Sequence, residues 1–215
     1  MATVDPDRLY THLCWCGTAA GSDLFDMHVA ASILAIAAQE AETENVSQSD
    51  RSGLDSRETR ALYVMLFPGG MSALDETVLN PVTITDDESA LRDILWMNSA
   101  AASPFERMLA HMIARRCQRP NHLWQDLGLG HRSELTKLMR RHFPRLAERN
   151  NRDMKWKKFF YRMMCSSTGF SLCLAPVCSE CDDFDHCFGP EDGESMLARI
   201  SNGKPLTLTA QETEI

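Results

Sequence analysis

The sequence predicts an all-α protein: a single multi-helix domain with an irregular C-terminal cysteine loop that holds a metal cluster. Three observations predict it. Apolar residues recur at helical spacing in several segments, only one stretch, 77–85, resembles a strand and a proline interrupts it, and four of the eight cysteines lie between Cys173 and Cys187. The 215 residues fit one domain, placed at 1–200, with a disordered tail at 201–215.

The first hundred residues are predicted to form helices separated by loops. The alanine-rich stretch 23–42, opened by Ser22, favours a helix, as do 57–67 and 86–98. The polar stretch 44–56 contains glycine and favours a loop. This half of the chain therefore offers helical packing surfaces but no motif with obvious chemistry.

The centre of the chain has the clearest helix start. Ser103 and Glu106 have the spacing of a capping box, with Pro104 at the first helical position. The apolar stripe that follows consists of Phe105, Met108, Leu109, Met112 and Ile113. Three further helices are predicted, over 122–127, 133–143 and 153–165. Their inward-facing residues are predicted to be Leu135, Leu138, Met139, Trp156, Phe159, Phe160, Met163 and Met164.

Charge is segregated along the chain. The net charge of −8 is the sum of −12 over 1–106, +11 over 107–165 and −7 over 166–215. A basic centre indicates either an anionic ligand or partner, or docking of the centre on the chain's own acidic segments. No apolar run reaches the length of a membrane helix and no basic region precedes one near the start, so we expect a cytoplasmic protein with no membrane partner.

The cysteine spacing is the most informative motif. Cys173, Cys178, Cys181 and Cys187 form C-x4-C-x2-C-x5-C, and thiolates favour zinc, copper(I) and iron–sulfur clusters. Structural zinc sites usually have two tight pairs far apart, whereas here one loop supplies all four ligands. This favours an iron–sulfur cluster and leaves zinc open. His186 is either an extra ligand or a surface residue. The other cysteines are predicted to be packing residues: Cys14, Cys16, Cys117 and Cys165.

The residues around this motif resemble a known family. The segments NHLWQDLGL (121–129), ELTKLMRRHFPRLAERN (134–150) and DMKWKKFFYR (153–162), followed by the C-x4-C-x2-C-x5-C loop at 166–189, closely resemble NifQ proteins. The resemblance covers residues 103–189, and the cysteine spacing is the hallmark of the family.

The resemblance implies a function. NifQ proteins are iron–sulfur metallochaperones that carry molybdenum in a [Mo-3Fe-4S] cluster, related to [3Fe-4S] and [4Fe-4S] types. They donate it to the NifEN scaffold complex, together with the nitrogenase iron protein, for assembly of the iron–molybdenum cofactor, and they are not enzymes. By motif position the cluster ligands would be Cys173, Cys178, Cys181 and Cys187. Three thiolates can hold three irons, and the fourth can serve the heterometal.

The source of molybdenum would be molybdate, an oxyanion. The basic centre offers four candidates for binding it or for docking a partner: Arg140, Arg141, Lys157 and Lys158. The alternative function is a zinc-stabilised helical binding module with a basic partner-docking face. An iron–sulfur redox enzyme is a third hypothesis, although no nucleotide-binding or nucleophile motif is found. The acidic overall charge and the lack of a recognition helix argue against nucleic acid.

Overall fold

The computed structural model describes residues 4–73, 82–168, Glu191 and Leu197. Within these residues the chain forms ten α-helices, one 3₁₀ segment at Pro68–Ala73 and no β-strand, which confirms the all-α prediction for this part of the chain. The helices are α1 (Pro6–Ala20), α2 (Leu24–Glu44), α3 (Gln48–Ser52), α4 (Ser56–Leu66), α5 (Asp86–Met97), α6 (Pro104–Cys117), α7 (Leu123–Asp126), α8 (Arg132–His142), α9 (Pro144–Arg149) and α10 (Trp156–Thr168). Their apolar side chains share one main core, as expected of a single domain.

The longest helix, α2, lies inside the core. Val29, Ile33 and Leu34 are fully buried, and alanines fill much of the remaining surface of the helix. A helix that is apolar on all sides belongs inside a protein or a membrane. In the described part of the chain, α2 is the one helix long and apolar enough to cross a bilayer, but 67% of its apolar window is buried by the rest of the protein. This burial is typical of the core helix of a soluble protein.

The helix α6 begins as predicted. The Ser103 hydroxyl accepts a hydrogen bond from the N–H of Glu106 at 3.2 Å, and the Glu106 carboxylate accepts one from the N–H of Ser103 at 3.0 Å. The predicted apolar stripe of α6 is buried throughout. Because these apolar residues face inward near the middle of the chain, α6 contacts α3, α4, α5 and α7.

The helix α10 has the predicted core residues but different ends. It begins at Trp156 rather than at position 153, because the Asn150 side chain bonds both the N–H and the carbonyl of Met154 at 2.9 Å. Asp153 lies in this turn with a positive φ of 54°. The helix continues to Thr168, so the first three residues of the loop predicted at 166–189 are helical.

Two short helices were not predicted. The segment 44–56, predicted to be a loop, contains α3, whose start is capped by Ser47 accepting from the N–H of Asp50 at 3.1 Å. A polar helix of five residues is too short to show an apolar period. The break predicted at Pro144 is the first residue of α9, where proline is well tolerated.

Several predicted features lie outside the described residues. They are the strand-like residues 77–81, the greater part of the cysteine loop, the four predicted ligands, His186 and the tail 201–215. Between the cysteine loop and the tail, only Glu191 and Leu197 are described.

Candidate functional site

The described cysteines are packing residues, as predicted. Cys16 and Cys117 are 2% and 3% exposed, and Cys14 is half-buried. Burial raises the pKa of Cys117 to about 12 and also raises the pKa of Cys14, so both are neutral thiols at pH 7. Cys165 lies in α10. Among the described residues no three His, Cys, Asp or Glu side chains form a group able to hold a metal ion.

The basic centre of the chain docks on its acidic first half. Arg116 on α6 binds Glu40 on α2 through two bonds of 2.6 and 2.9 Å, and its side chain is completely buried. Next to this pair, Arg119 binds Glu44 at 2.6 Å. Burial would raise the pKa of Glu44, but the bonds from Arg119 and Arg51 outweigh it and lower the pKa. Of the two explanations left open by the charge pattern, internal docking is therefore confirmed for these arginines.

Arg141, one of the predicted oxyanion residues, is used in the same way. Its guanidinium lies 2.8 Å from Asp23 and 3.2 Å from Asp26, both at the start of α2. The hydrogen bond from Arg141 lowers the pKa of the Asp23 carboxyl. The neighbouring His142 also binds Asp26, at 2.9 Å. Arg141 thus connects the end of α8 to the start of α2. Two carboxylates of the protein already balance its charge, which disfavours binding of an external anion.

The two predicted lysines differ in their surroundings. Lys157 binds the carboxylate of Asp126 and the carbonyl of Arg119, and its side chain is 15% exposed. Lys158 is exposed on the outer face of α10. The structure therefore gives Lys157 a structural role, fastening α10 to α7, and does not bring it together with Arg140.

A basic concave surface, here called the α8 groove, runs along α8. Its volume is about 710 Å³, and it is lined by Arg132, Ser133, Thr136, Lys137, Arg140, Arg141 and Asp153. A second cavity of about 500 Å³ shares Thr136, Arg140 and Asp153 with it and extends to α9 and Trp156. The sequence predicted that Lys137, Arg140 and Arg141 share one face of this helix, but it did not indicate that Arg132 lies there too.

The cations of the α8 groove are not equally available. The Lys137 ammonium lies 4.0 Å from the centre of the Phe25 ring, a cation–π contact. Arg132 and Arg141 both bind carboxylates. Arg140 is exposed and, among the residues that the structure describes, forms no hydrogen bond or ion pair. It is the candidate cation best able to bind an anion from solution.

Arg132 also contacts the chain beyond the cysteines. One of its terminal nitrogens lies 2.7 Å from the carboxylate of Glu191, and the other donates to the carboxylate and the carbonyl of Asp153, both at 2.8 Å. Sequence reasoning missed this contact, because nothing in the sequence links positions 59 residues apart.

Comparison with known proteins decides the family. The profile of the NifQ family matches residues 29–189, which is most of the chain and includes the four-cysteine motif. The chain belongs to the NifQ family. This assignment places it among nitrogen-fixation proteins, and it confirms the resemblance found in the sequence. The match begins at residue 29, within α2, well before residue 103, where the resemblance in the sequence begins.

Individual relatives agree with the NifQ assignment. A NifQ homolog of Sinorhizobium fredii is 37% identical over 174 residues, covering 80% of this chain and 75% of its own length. NifQ of Rhodobacter capsulatus is 40% identical, covering 66% of this chain and 77% of its own. NifQ of Azotobacter vinelandii is 41% identical over 49% of this chain and 54% of its own. No solved structure matches the chain.

Proposed function

We propose that this NifQ protein is an iron–sulfur metallochaperone that binds molybdenum as a [Mo-3Fe-4S] cluster and donates it for assembly of the nitrogenase iron–molybdenum cofactor. One observation carries the proposal: the C-x4-C-x2-C-x5-C motif lies inside the region that the family profile matches. The proposed ligands are Cys173, Cys178, Cys181 and Cys187. The proposed role is that of a carrier in the cytoplasm rather than an enzyme.

The chemistry of the donor set fits such a cargo. Thiolates are the usual ligands of iron–sulfur clusters, and four thiolates exceed by one the number that three irons need. The extra thiolate can bind the heterometal as it arrives or leaves. Because all four proposed ligands lie on one continuous stretch of chain, a single conformational change could move them away from the cluster. This suits a carrier that must release its cluster.

The helix that precedes the motif, α10, is packed into the core, which supports a metal site anchored to the helical domain. The residues between Thr168, where α10 ends, and Glu191 number 22 and contain all four proposed ligands. α10 packs into the core through Trp156 and Phe160, which are 3% and 0% exposed. A packed helix on one side of the segment limits the conformational entropy that the segment would lose on binding a cluster.

The α8 groove is the proposed contact for molybdate. Tetrahedral oxyanions are bound well by arginine, whose planar fork donates parallel hydrogen bonds. Of the four candidates in the sequence, Arg140 carries the proposal. Arg141 and Lys157 are engaged by carboxylates of the protein itself, and Lys158 lies on α10 rather than among the groove residues.

The first experiment measures the metal content. The full-length protein is purified anaerobically from nitrogen-fixing cells, and iron, molybdenum, zinc and acid-labile sulfide are determined together. We expect roughly three to four irons and sulfides per chain, as for one cubane-type cluster, with less than one molybdenum. Cys181→Ser should lose iron and sulfide, whereas Cys14→Ser, a matched change at a packing cysteine, should keep both.

Two results would contradict the proposal. About one zinc per chain without sulfide would indicate the alternative, a zinc-stabilised helical binding module. Equal iron in the two cysteine variants would show that the motif does not hold the cluster. If the content is as expected, incubation of the molybdenum-loaded protein with the NifEN scaffold complex and the nitrogenase iron protein tests donation, read as molybdenum recovered on the scaffold.

A further inference from the structure

Many basic side chains of this protein bind its own carboxylates. The arginines that lie less than 3 Å from a carboxylate oxygen include Arg92, Arg115, Arg116, Arg119, Arg132 and Arg141. The region 131–162 has more cations than this pattern can neutralise. It contains 11 basic and 3 acidic residues, a net charge of +8 within a chain whose total charge is −8.

Four arginines of this region are left for solvent. Arg140 lies on α8, Arg145 and Arg149 lie on α9, and Arg152 lies in the turn before α10. All four are exposed, and within the part of the chain that the structure describes they form no hydrogen bond or ion pair. Arg145 and Arg149 are four residues apart and therefore share one face of α9. These four arginines and the two cavities beside them are here called the α8–α9 surface.

The α8–α9 surface is larger than a small anion needs. Its cavities of about 710 and 500 Å³ share Thr136, Arg140 and Asp153, and the second is also lined by Glu148 of α9, next to Arg149 in the sequence. Cavities of about 300–1,000 Å³ hold drug-sized ligands, so an oxyanion of five atoms leaves most of this space unfilled. A six-residue helix is about 9 Å long, and a protein partner that covers about 800 Å² would span α9 and both cavities.

The residues of this surface indicate which kind of macromolecule it suits. Among the described residues, the large apolar side chains that are exposed lie between Val4 and Met97, before α8, so the surface offers no anchor for a lipid bilayer. Trp156 lines the second cavity but is 3% exposed, so its ring is not available for stacking on a base. The net charge of −8 also repels extended polyanions. A local acidic patch on another protein can meet the arginines without meeting the rest of the chain.

We propose that the α8–α9 surface docks this protein on an acidic face of a partner protein. Its exposed arginines steer the approach, because charges at the edge of an interface act mainly on the association rate and on its salt dependence. The proposal goes beyond the proposed function, which uses only Arg140 of this surface and only for molybdate. The choice of the NifEN scaffold complex as the partner in the test rests on the proposed function.

The test uses two double variants of the full-length chain that change the net charge equally. Arg145→Gln with Arg149→Gln alters the α8–α9 surface, whereas Arg8→Gln with Arg57→Gln removes two exposed arginines from α1 and α4. Association rates are measured with two immobilised probes, the NifEN scaffold complex and poly-L-glutamate. Each rate is measured at low salt and at about 1 M salt, where charges are screened beyond about 3 Å. Thermal unfolding of each variant checks the fold.

We expect the α9 double variant to associate with both probes about fivefold to tenfold more slowly than the wild type at low salt. At high salt this difference should disappear, and the α1/α4 variant should stay within about twofold of the wild type throughout. Equal rates for the two double variants, or a difference that persists at high salt, would overturn the docking surface.

Two further probes test the choice of an acidic protein. Vesicles of phosphatidylglycerol and a duplex DNA are immobilised in the same way. Faster association with either of them than with poly-L-glutamate, lost in the α9 double variant, would assign the surface to a membrane or to nucleic acid and overturn the proposal. We expect both to associate more slowly, since the acidic remainder of the chain opposes a large anionic surface.

Failure of the docking surface and failure of the proposed function give different results. If the wild-type protein holds zinc without sulfide, the proposed function fails, and the rates with poly-L-glutamate still decide whether the surface binds an acidic polypeptide. If the wild-type protein holds the expected cluster and the α9 double variant associates with the scaffold complex at the wild-type rate, the proposed function stands and the docking surface is wrong.

Discussion

Arg116 and Glu40 form a bidentate ion pair inside the protein, with both guanidinium–carboxylate distances below 3 Å and the arginine fully buried. The remaining donors of Arg116 reach the carbonyls of Asp126, at 2.6 Å, and Arg51, at 3.4 Å. Four helical segments, α2, α3, α6 and α7, therefore converge on one guanidinium. The Arg116 charge is tolerated in the core because its N–H groups are hydrogen-bonded on several sides. The ion pair with Glu40 thereby connects the basic centre of the chain to its acidic first half.

Replacing Glu40 with glutamine is expected to lower the free energy of unfolding by about 3–5 kcal/mol, because the Arg116 charge would stay buried without its counter-charge. Urea unfolding at pH 7 measures this change. Asp93→Asn is the matched control, since Asp93 is exposed on α5 and such substitutions usually change stability by less than about 0.5 kcal/mol. Equal midpoints for the two variants would show that the pair does not hold the helices together.

Arg140→Ala is expected to weaken molybdate binding about threefold to tenfold without lowering stability, because Arg140 is exposed and holds no described partner. Equilibrium dialysis of molybdate against the metal-free protein at low salt measures binding, and the molybdenum content of the loaded protein measures delivery. Arg145→Ala, an exposed arginine on α9, is the control and should bind as the wild type does. Unchanged binding and molybdenum content in Arg140→Ala would remove the α8 groove from the proposed function.

The ring of His122 should make stability depend on pH. Burial lowers its pKa, as do the charges of Lys155, Lys157 and Arg132, while Glu191 opposes them. Below about pH 6.5, the ordinary pKa of histidine, the unfolded chain takes up a proton that the folded protein resists. The free energy of unfolding should therefore fall as the pH drops from about 6.5 through the lowered pKa of His122, and then stop changing on account of this group.

The measurement is urea unfolding between pH 7.5 and 5 for the wild type and for His122→Gln. The variant should lose less stability on acidification than the wild type, because it lacks the titrating ring. His131→Gln is the control, since His131 is exposed, and it should follow the wild-type curve. Parallel curves for His122→Gln and the wild type would contradict the lowered pKa.

Sequence patterns predicted those parts of the fold that depend on local physics. The capping box at Ser103 and the stripe beginning at Phe105 combine a side-chain cap with a period of 3.6, and both are found as predicted. The five-residue helix α3 could not be predicted, because its polar residues Ser49 and Ser52 are buried by tertiary packing and not by their own hydrophobicity.

The candidate site shows the same limit. Basic residues at 140 and 141 are adjacent in the sequence, but Arg141 turns to the acidic start of α2 and Arg140 faces solvent. Only the packing of α8 against α2 separates these roles. The contact of Arg132 with Glu191 depends on how the chain returns after the cysteines, and no local pattern encodes that return. The cysteine motif, in contrast, is recognisable from spacing alone because its ligands are close in sequence.

Gly128 lies close to Leu197, which follows the cysteines in the sequence. Its φ is +74°, and an added Cβ would lie 2.6 Å from the Ile36 side chain and 3.1 Å from the Ser32 carbonyl, as well as close to Leu197. Gly21 has nearly the same φ, +75°, but an added Cβ there meets nothing within 4 Å. Alanine at either position carries the backbone cost of about 1–2 kcal/mol, and only at Gly128 does it add about 1–3 kcal/mol of overpacking.

Urea unfolding of Gly128→Ala and Gly21→Ala separates the two costs, because the difference between the variants is the steric cost alone. We expect Gly128→Ala to be the less stable of the two and to show faster hydrogen–deuterium exchange in the peptide that contains Leu197. Equal unfolding midpoints and equal exchange in the two variants would contradict the close packing of Ile36 and Leu197 against Gly128.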